Sequence, residues 1–171
     1  MGPCTPFLST RAPNMATLGI STNTRLLGLA IIKQGSLADY SIHLHKSSWS
    51  ASKANKIVTS LEPCMRQYCI KSVVLSIPHV YHQTKEFQEL IFRIREYFKA
   101  KNIPVCAETP EALYEFCPPG QKKTKKALMN ALCLQFPQLV HSFKKEMRNK
   151  NKYYYKVFEA VAVAAINDRR N

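Results

Sequence analysis

The chain has 171 residues with 25 Lys and Arg against 11 Asp and Glu, which gives it a formal net charge of +14. Its 46% apolar and 21% charged residues exclude a disordered chain and, at this length, allow one domain with a proper hydrophobic core. No stretch approaches the roughly 18 consecutive apolar residues that a membrane-spanning helix needs, and residues 1–14 contain no apolar segment typical of a signal peptide.

The charge excess indicates a polyanionic partner, because each phosphate that a cation neutralises releases condensed counterions. Nucleic acid is the first candidate, and an anionic membrane surface is a distant second. A basic protein without a polyanionic partner remains the alternative unless the cations cluster on one surface.

Three strands are predicted near the N-terminus. They follow an aperiodic stretch of Pro, Ser and Thr, residues 1–14, which we expect to be a flexible extension. The three strands are expected at residues 16–20, 25–33 and 38–45, with polar turns at 21–24 and 34–36. Consecutive strands with short turns predict an antiparallel meander.

Helices and strands then alternate along the chain. The spacing of apolar residues predicts helices at 52–67 and 84–101 and strands at 72–77 and 103–107. A short helix (110–116), a basic-faced helix (122–136), a basic connector (144–152) and a final helix (153–167) complete the order. Three strands followed by alternating helices and strands predict an α/β fold: a mixed five-stranded sheet with helices on both faces.

The chain shows no internal repeat, so residues 15–171 are expected to form a single domain. The six cysteines form no CxxC pair. Without a secretion signal, this pattern favours reduced thiols over a disulfide framework. We therefore expect an intracellular protein, cytoplasmic or nucleoid-associated.

Five short segments sharpen the fold prediction. They are the hairpin 18–31 (LGISTNTRLLGLAI), the strand exit 77–81 (IPHVY), the strand and turn at 103–110 (IPVCAETP), the Gly- and Lys-bearing segment 120–129, and the helical segment 158–164 (FEAVAVA). In this order they resemble the RuvC-type family of Holliday-junction resolvases, over residues 15–167. The resemblance implies a ribonuclease-H-like fold: a three-stranded antiparallel meander, two parallel strands and helices on both faces.

The resemblance also implies where a catalytic site would lie. The family cuts a phosphodiester with two divalent metals bound by carboxylates between the first strand, the fourth strand and the last helix. Those positions fall on Ser21, Pro78, Lys156 and Glu159. Only Glu159 keeps a carboxylate, and the Lys156 ammonium would repel a divalent cation. The expected result is a degenerate site that holds no metal.

Glu108, at the end of the fifth strand, is an additional acid near the open end of the sheet. With Glu159 it offers a sparse Mg²⁺ or Mn²⁺ site. In the competing interpretation Glu108 caps or begins the next helix, and Glu159 pairs with Lys156. We favour the second interpretation.

The histidines offer a different set of ligands. His43 and His45 are two apart on a strand, so both side chains point to one face. His79 and His82 follow the fourth strand. These pairs are the alternative candidates for a transition-metal site, but with no third spaced ligand we favour hydrogen-bonded or exposed histidines.

Basic residues cluster between positions 122 and 152, where only Glu146 opposes them. They are Lys122, Lys123, Lys125, Lys126, Lys144, Lys145, Arg148, Lys150 and Lys152. The resemblance implies that this segment lies beside the bound strand, and lysines around a helix N-terminus favour phosphate. Tyr153, the first of three consecutive tyrosines, is a candidate for stacking on unpaired bases, with burial as the competing role.

These observations predict a nucleic-acid-binding, resolvase-like domain that is catalytically inactive. It would hold branched or structured DNA, or RNA, through its basic face. One alternative is a divergent endodeoxyribonuclease that uses Glu108, Glu159 and His79 with Mg²⁺ or Mn²⁺. A second is a protein-interaction subunit of a larger nucleoprotein assembly. No cofactor and no membrane partner are expected, and the resemblance implies a homodimer formed through the helix at 84–101.

Overall fold

The structure is a computed structural model that describes residues 15–150 and 152–170. The predicted N-terminal extension, residues 1–14, lies outside the described residues.

Five strands form one mixed sheet. They are β1 (Met15–Thr22), β2 (Leu26–Lys33), β3 (Ser36–Leu44), β4 (Cys69–Ser76) and β5 (Val105–Glu108). Their order across the sheet is β3-β2-β1-β4-β5. The first three are antiparallel neighbours, whereas β4 runs parallel to β1 and β5 parallel to β4. The predicted meander with two parallel strands is confirmed.

Short turns fix the register of the meander. The turn between β2 and β3 has two residues with positive φ, Gln34 at 52° and Gly35 at 76°. A two-residue turn of this kind has a backbone twist that matches the twist of paired antiparallel strands. Glycine adopts the positive φ that the turn needs without a steric cost.

Helices cover both faces of the sheet, as predicted. They are α1 (Ala51–Thr59), α2 (Glu62–Gln67), α3 (Lys85–Lys99), α4 (Pro110–Leu113), α5 (Lys125–Gln135), α6 (Val140–Arg148) and α7 (Tyr155–Arg170). On one face, α1 and α3 pack against Leu18, Ile20 and Leu75. On the other, α5 and α7 pack against Ala30 and Val74. Successive strand residues alternate between these two cores.

Several elements differ from the sequence prediction, among them the first helix, the fifth strand and the basic connector. The helix expected at 52–67 is two helices, because Pro63 has no N–H to continue the first one. The fifth strand begins at Val105, after Pro104, for the same reason. The segment expected to be a basic connector, 144–152, is mostly helical, since Arg148 is the last residue of α6.

The cysteines agree only in part with the expectation of reduced thiols. Cys64, Cys106, Cys117 and Cys133 are free, whereas Cys69 is disulfide-bonded. Among the described residues, no helix is long and apolar enough to cross a membrane.

Candidate functional site

The carboxyl end of β1 meets the first turns of α7 at a small buried polar cluster. Ser21 is 1% exposed and donates a hydrogen bond from Oγ to Glu159 Oε1 at 3.1 Å. The Lys156 Nζ lies 3.2 Å from the same oxygen. The Glu159 side chain is 11% exposed and that of Lys156 is 24% exposed. We call these three residues the closed centre, because each polar group is already paired within the cluster.

Two glycines bring α7 close enough to form the closed centre. A Cβ on Gly19 would lie 2.0 Å from the Ala160 carbonyl oxygen, and one on Gly28 would lie 2.5 Å from the Lys156 carbonyl oxygen. Any larger residue would therefore push the helix off the sheet. This close seating buries α7 from Val157 to Ile166 and sets Glu159 over the end of β1.

The residues of the closed centre do not fit a divalent metal. Hard cations require several oxygen ligands, yet Ser21 is neutral, and Glu159 Oε1 is shared by a hydroxyl and an ammonium. The side chain of Pro78, which follows β4, carries no ligand atom. Within residues 15–150 and 152–170, no group of three or more His, Cys, Asp or Glu is placed to hold a metal ion.

Glu108 lies at the same edge of the sheet but has a partner of its own. It is the register partner of Ser76 on β4, which in turn pairs with Ser21. Its carboxylate accepts from Arg170 at 2.5 Å. Glu108 ends β5, and Thr109 is the N-cap of α4. Glu108 and Glu159 thus have different cationic partners.

The histidines make local hydrogen bonds. His43 Nε2 lies 3.0 Å from Ser41 Oγ, and His45 Nε2 lies 3.5 Å from Ser60 Oγ. Burial lowers the pKa of both rings, and the charges of His43 and nearby lysines lower the pKa of His45 further. His79 is exposed and stacks on Tyr81.

The first basic stretch surrounds the start of α5. Thr124 is the N-cap, and its Oγ1 accepts from the Ala127 N–H at 3.1 Å. The helix therefore begins at Lys125 and not at residue 122, because a threonine side chain satisfies the free N–H groups of the first turn. Lys122 and Lys123 precede it, so they do not lie on the predicted helical face. All four lysines of the segment, Lys122, Lys123, Lys125 and Lys126, are exposed.

The acid within the basic segment does not neutralise its surface. Glu146 is 1% exposed, and its Oε2 accepts from the Tyr155 N–H at the start of α7. The Lys152 ammonium donates to the Glu146 carbonyl oxygen at 2.8 Å. The nine cations from Lys122 to Lys152 thus have no exposed acid within their own segment, and we call these nine residues the basic surface.

The three tyrosines connect the basic surface to α7. The Lys125 Nζ lies 4.8 Å from the centre of the Tyr155 ring, and the Lys145 Nζ lies 5.5 Å from the centre of the Tyr154 ring. Burial raises the pKa of Tyr155. Two of the tyrosines therefore hold lysines in place by cation–π contacts, whereas Tyr153 lines a surface cavity.

The exit of β4 presents an exposed aromatic side chain that is not among the predicted binding residues. Here Tyr81 is 86% exposed and Val80 is 59% exposed, and the Tyr81 ring lies 4.6 Å from that of His79. Exposed aromatic faces suit stacking on unpaired bases. The signal in the sequence was an aromatic residue, Tyr81, shortly after the proline that follows the strand.

Comparisons with known proteins identify the fold. No protein-family model and no curated protein sequence matches the chain. Two structures of Thermus thermophilus RuvC are similar to it. The one in complex with a Holliday junction substrate has a TM-score of 0.67 and 13% identity, covering 88% of this chain and 90% of that one. The other has a TM-score of 0.63 and 12% identity, covering 88% and 91%.

A viral enzyme has the same fold. The large terminase nuclease from thermophilic phage G20c has a TM-score of 0.51 and 12% identity, covering 90% of this chain and 82% of that one. At these identities the similarity concerns the fold alone. The chain has the ribonuclease-H-like fold of RuvC, as the sequence predicts.

Proposed function

We propose that this chain is a nucleic-acid-binding domain of resolvase-like fold that does not cut its ligand. The observation that carries the proposal is the closed centre, where the Lys156 ammonium lies 3.2 Å from the Glu159 carboxylate. A fixed cation at this point repels divalent metals and neutralises the one remaining carboxylate. Metal-dependent phosphodiester cleavage is therefore not expected.

The basic surface supports nucleic acid as the ligand. Because Glu146 is turned into the protein, the cations from Lys122 to Lys152 are not opposed by an exposed acid within their own segment. Such a surface attracts a phosphate backbone by counterion release, and its affinity falls steeply with salt. The absence of a pattern for reading base edges favours recognition of shape and charge.

The placement of these features supports branched or structured DNA, or RNA, as the ligand. Lys125 and Lys145 reach the start of α7 through their tyrosine contacts, beside the closed centre. Tyr81 offers an exposed ring for unpaired bases at the exit of β4. One RuvC of the same fold is in complex with a Holliday junction substrate, and extending that ligand class to this chain is an analogy of fold.

We further propose an intracellular location and a homodimer that pairs through α3. The apolar side of α3, including Leu90, Ile94 and Phe98, is buried in the core of its own chain. Phe92, which is 62% exposed, is the residue available for pairing. Sedimentation equilibrium at micromolar concentration tests this, and a strictly monomeric mass would exclude the dimer.

A paired binding and cleavage assay on one labelled four-way junction tests the function. Wild-type protein is compared with a basic-surface variant across a salt series, with and without Mn²⁺. The variant replaces four lysines of the α5 stretch with Ala: Lys122, Lys123, Lys125 and Lys126. A charge-matched control replaces with Ala four exposed cations that lie outside α3 and outside the basic surface: Lys46, Lys56, Arg66 and Lys101.

Tight, salt-dependent binding without cleavage is the expected result. Every phosphate that the protein no longer neutralises should reduce the slope of log K against log salt by about 0.9. The basic-surface variant should therefore show a smaller slope than the control. Cleavage above background would contradict the proposal and favour a divergent nuclease. Absence of binding would favour a protein partner.

A further inference from the structure

A cavity of about 300 Å³ lies between the β1–β2 turn and the residues that precede α7. Five polar residues line it: Asn23, Arg25, Lys150, Lys152 and Tyr153. Three of them are cations, and none of the described residues that line the cavity is acidic. This lining favours an anion.

The wall formed by the β1–β2 turn is rigid. The Asn23 Oδ1 accepts from the backbone N–H of Arg25 at 2.8 Å and from that of Leu26 at 2.7 Å. These two bonds identify which terminal atom of the Asn23 side chain is the oxygen, because only the oxygen can accept from backbone N–H groups. The NH₂ group of this side chain then adds neutral donors to the lining, and the turn needs no reordering to receive a ligand.

The cations in this cavity are not neutralised by acids. Neither Arg25 nor Lys150 forms an ion pair with any described acidic side chain. Lys152 gives one hydrogen bond to the Glu146 carbonyl oxygen, which positions its ammonium and leaves its other two N–H groups. The pKa of Lys53 is lowered by burial and also by the charge of Arg25.

The remaining lining is apolar. Leu26 and Leu44 border the cavity beside the half-buried Tyr153. A volume of about 300 Å³ is at the lower end of the range for small-molecule sites, about 300–1,000 Å³. Cationic donors next to an aromatic ring and two leucines match the chemistry of one nucleotide unit, which joins a phosphate to a sugar and a base.

We propose that this cavity binds the phosphate of one unpaired nucleotide in a bound strand, between Arg25 and Lys150, with its sugar or base against Tyr153. The inference rests on the proposed function for the identity of the strand. It adds Asn23 and Arg25, which lie far before Lys122, the first cation of the basic surface, to the binding residues.

Nuclear magnetic resonance of the full chain, labelled with ¹⁵N, tests the proposal. The probes are tetrathymidylate with and without a 5′-phosphate, and inorganic phosphate. The cavity variant carries Arg25→Gln and Lys150→Gln. A control with the same loss of charge carries Arg66→Gln on α2 and Lys101→Gln after α3, two exposed cations that do not line the cavity. Urea unfolding of each variant checks that it is folded.

The amide signals of Asn23, Arg25 and Tyr153 are expected to shift on titration with tetrathymidylate. Loss of charge-assisted hydrogen bonds should weaken binding by about tenfold in the cavity variant, against about twofold or less in the control. Equal weakening in both variants, or shifts confined to other surfaces, would overturn the proposal.

The two forms of the probe distinguish the source of the phosphate. If the 5′-phosphate strengthens binding and the cavity variant abolishes that gain, the occupant is a strand end. If both forms bind alike and both weaken in the cavity variant, the occupant is an internal phosphate.

Failure of the cavity proposal can also be distinguished from failure of the proposed function. Junction binding that is unaffected in the cavity variant would reject the cavity alone. Tetrathymidylate binding at the cavity without any junction binding would reject the junction as ligand and leave the cavity supported.

Discussion

Replacement of Lys156 by Met should destabilise the protein because it leaves the Glu159 carboxylate, whose side chain is 11% exposed, without its cation. At 3.2 Å and an effective dielectric constant near 20, the gross attraction between the two charges is about 5 kcal/mol. Desolvation of both groups offsets much of it. Exposed pairs are worth about 0.2–1 kcal/mol and breaking a fully buried one costs about 3–5 kcal/mol. The 24% exposure of Lys156 places the expected loss between them, at about 2 kcal/mol.

A double-mutant cycle isolates this interaction. The free energies of unfolding of wild type, Lys156→Met, Glu159→Gln and the double variant are measured by urea denaturation, with the fluorescence of Trp49 as the probe. The coupling energy is expected to be about 1–2 kcal/mol. The exposed Arg93–Glu89 pair, with side chains 31% and 45% exposed, is the matched control and should give about 0.3–0.5 kcal/mol. Equal coupling in the two cycles would refute the description of the closed centre as a mostly buried pair.

Three further perturbations follow from the structure. Gly19→Ala should lower the free energy of unfolding by about 3 kcal/mol in the same urea assay, because the added Cβ would meet the Ala160 carbonyl oxygen. A loss below about 1 kcal/mol would mean that α7 does not pack on β1 as closely as described. Burial raises the pKa of Cys64 to about 11, above its unfolded value, so the stability that this thiol contributes should be complete below about pH 8.5 and decline as the pH rises toward 11. Urea unfolding across this range checks the slope, and a Cys64→Ala variant with the same slope would contradict the assignment. A triple variant with Ser21→Asp, Pro78→Glu and Lys156→Asp restores three carboxylates. Its melting temperature should rise with Mn²⁺, because a ligand that binds only the folded state stabilises that state. The melting temperature of wild type should not change, and an equal rise in wild type would contradict the lack of fit to a metal.

The local pattern of residues was sufficient for much of the fold. Alternation in the first three strands and the period of the later helices are properties of neighbouring residues, so the strand and helix order could be predicted. Boundaries failed where one side chain overrides the period: Pro63 divides the first helix, and Thr124 delays the start of α5. The helical character of α6 was missed because its charged residues resemble a solvated connector.

The candidate site, like the fold, could be predicted from the sequence only in part. The sequence alone allowed the prediction that Ser21, Pro78, Lys156 and Glu159 stand at the catalytic positions of the family that it resembles, because this mapping needs only the order along the chain. The pairing of Lys156 with Glu159 can also be predicted from the sequence, because residues three apart on a helix are neighbours.

Only the tertiary structure decided what these residues contact across the chain. The hydrogen bond from Ser21 to Glu159 spans 138 residues, the burial of Glu146 removes the one acid from the basic surface, and Arg25 reaches the same cavity as Lys150. The first of these depends on how closely α7 seats on β1 and β2. That distance is set by the packing of helix against sheet, at glycines whose effect appears only when the two elements meet.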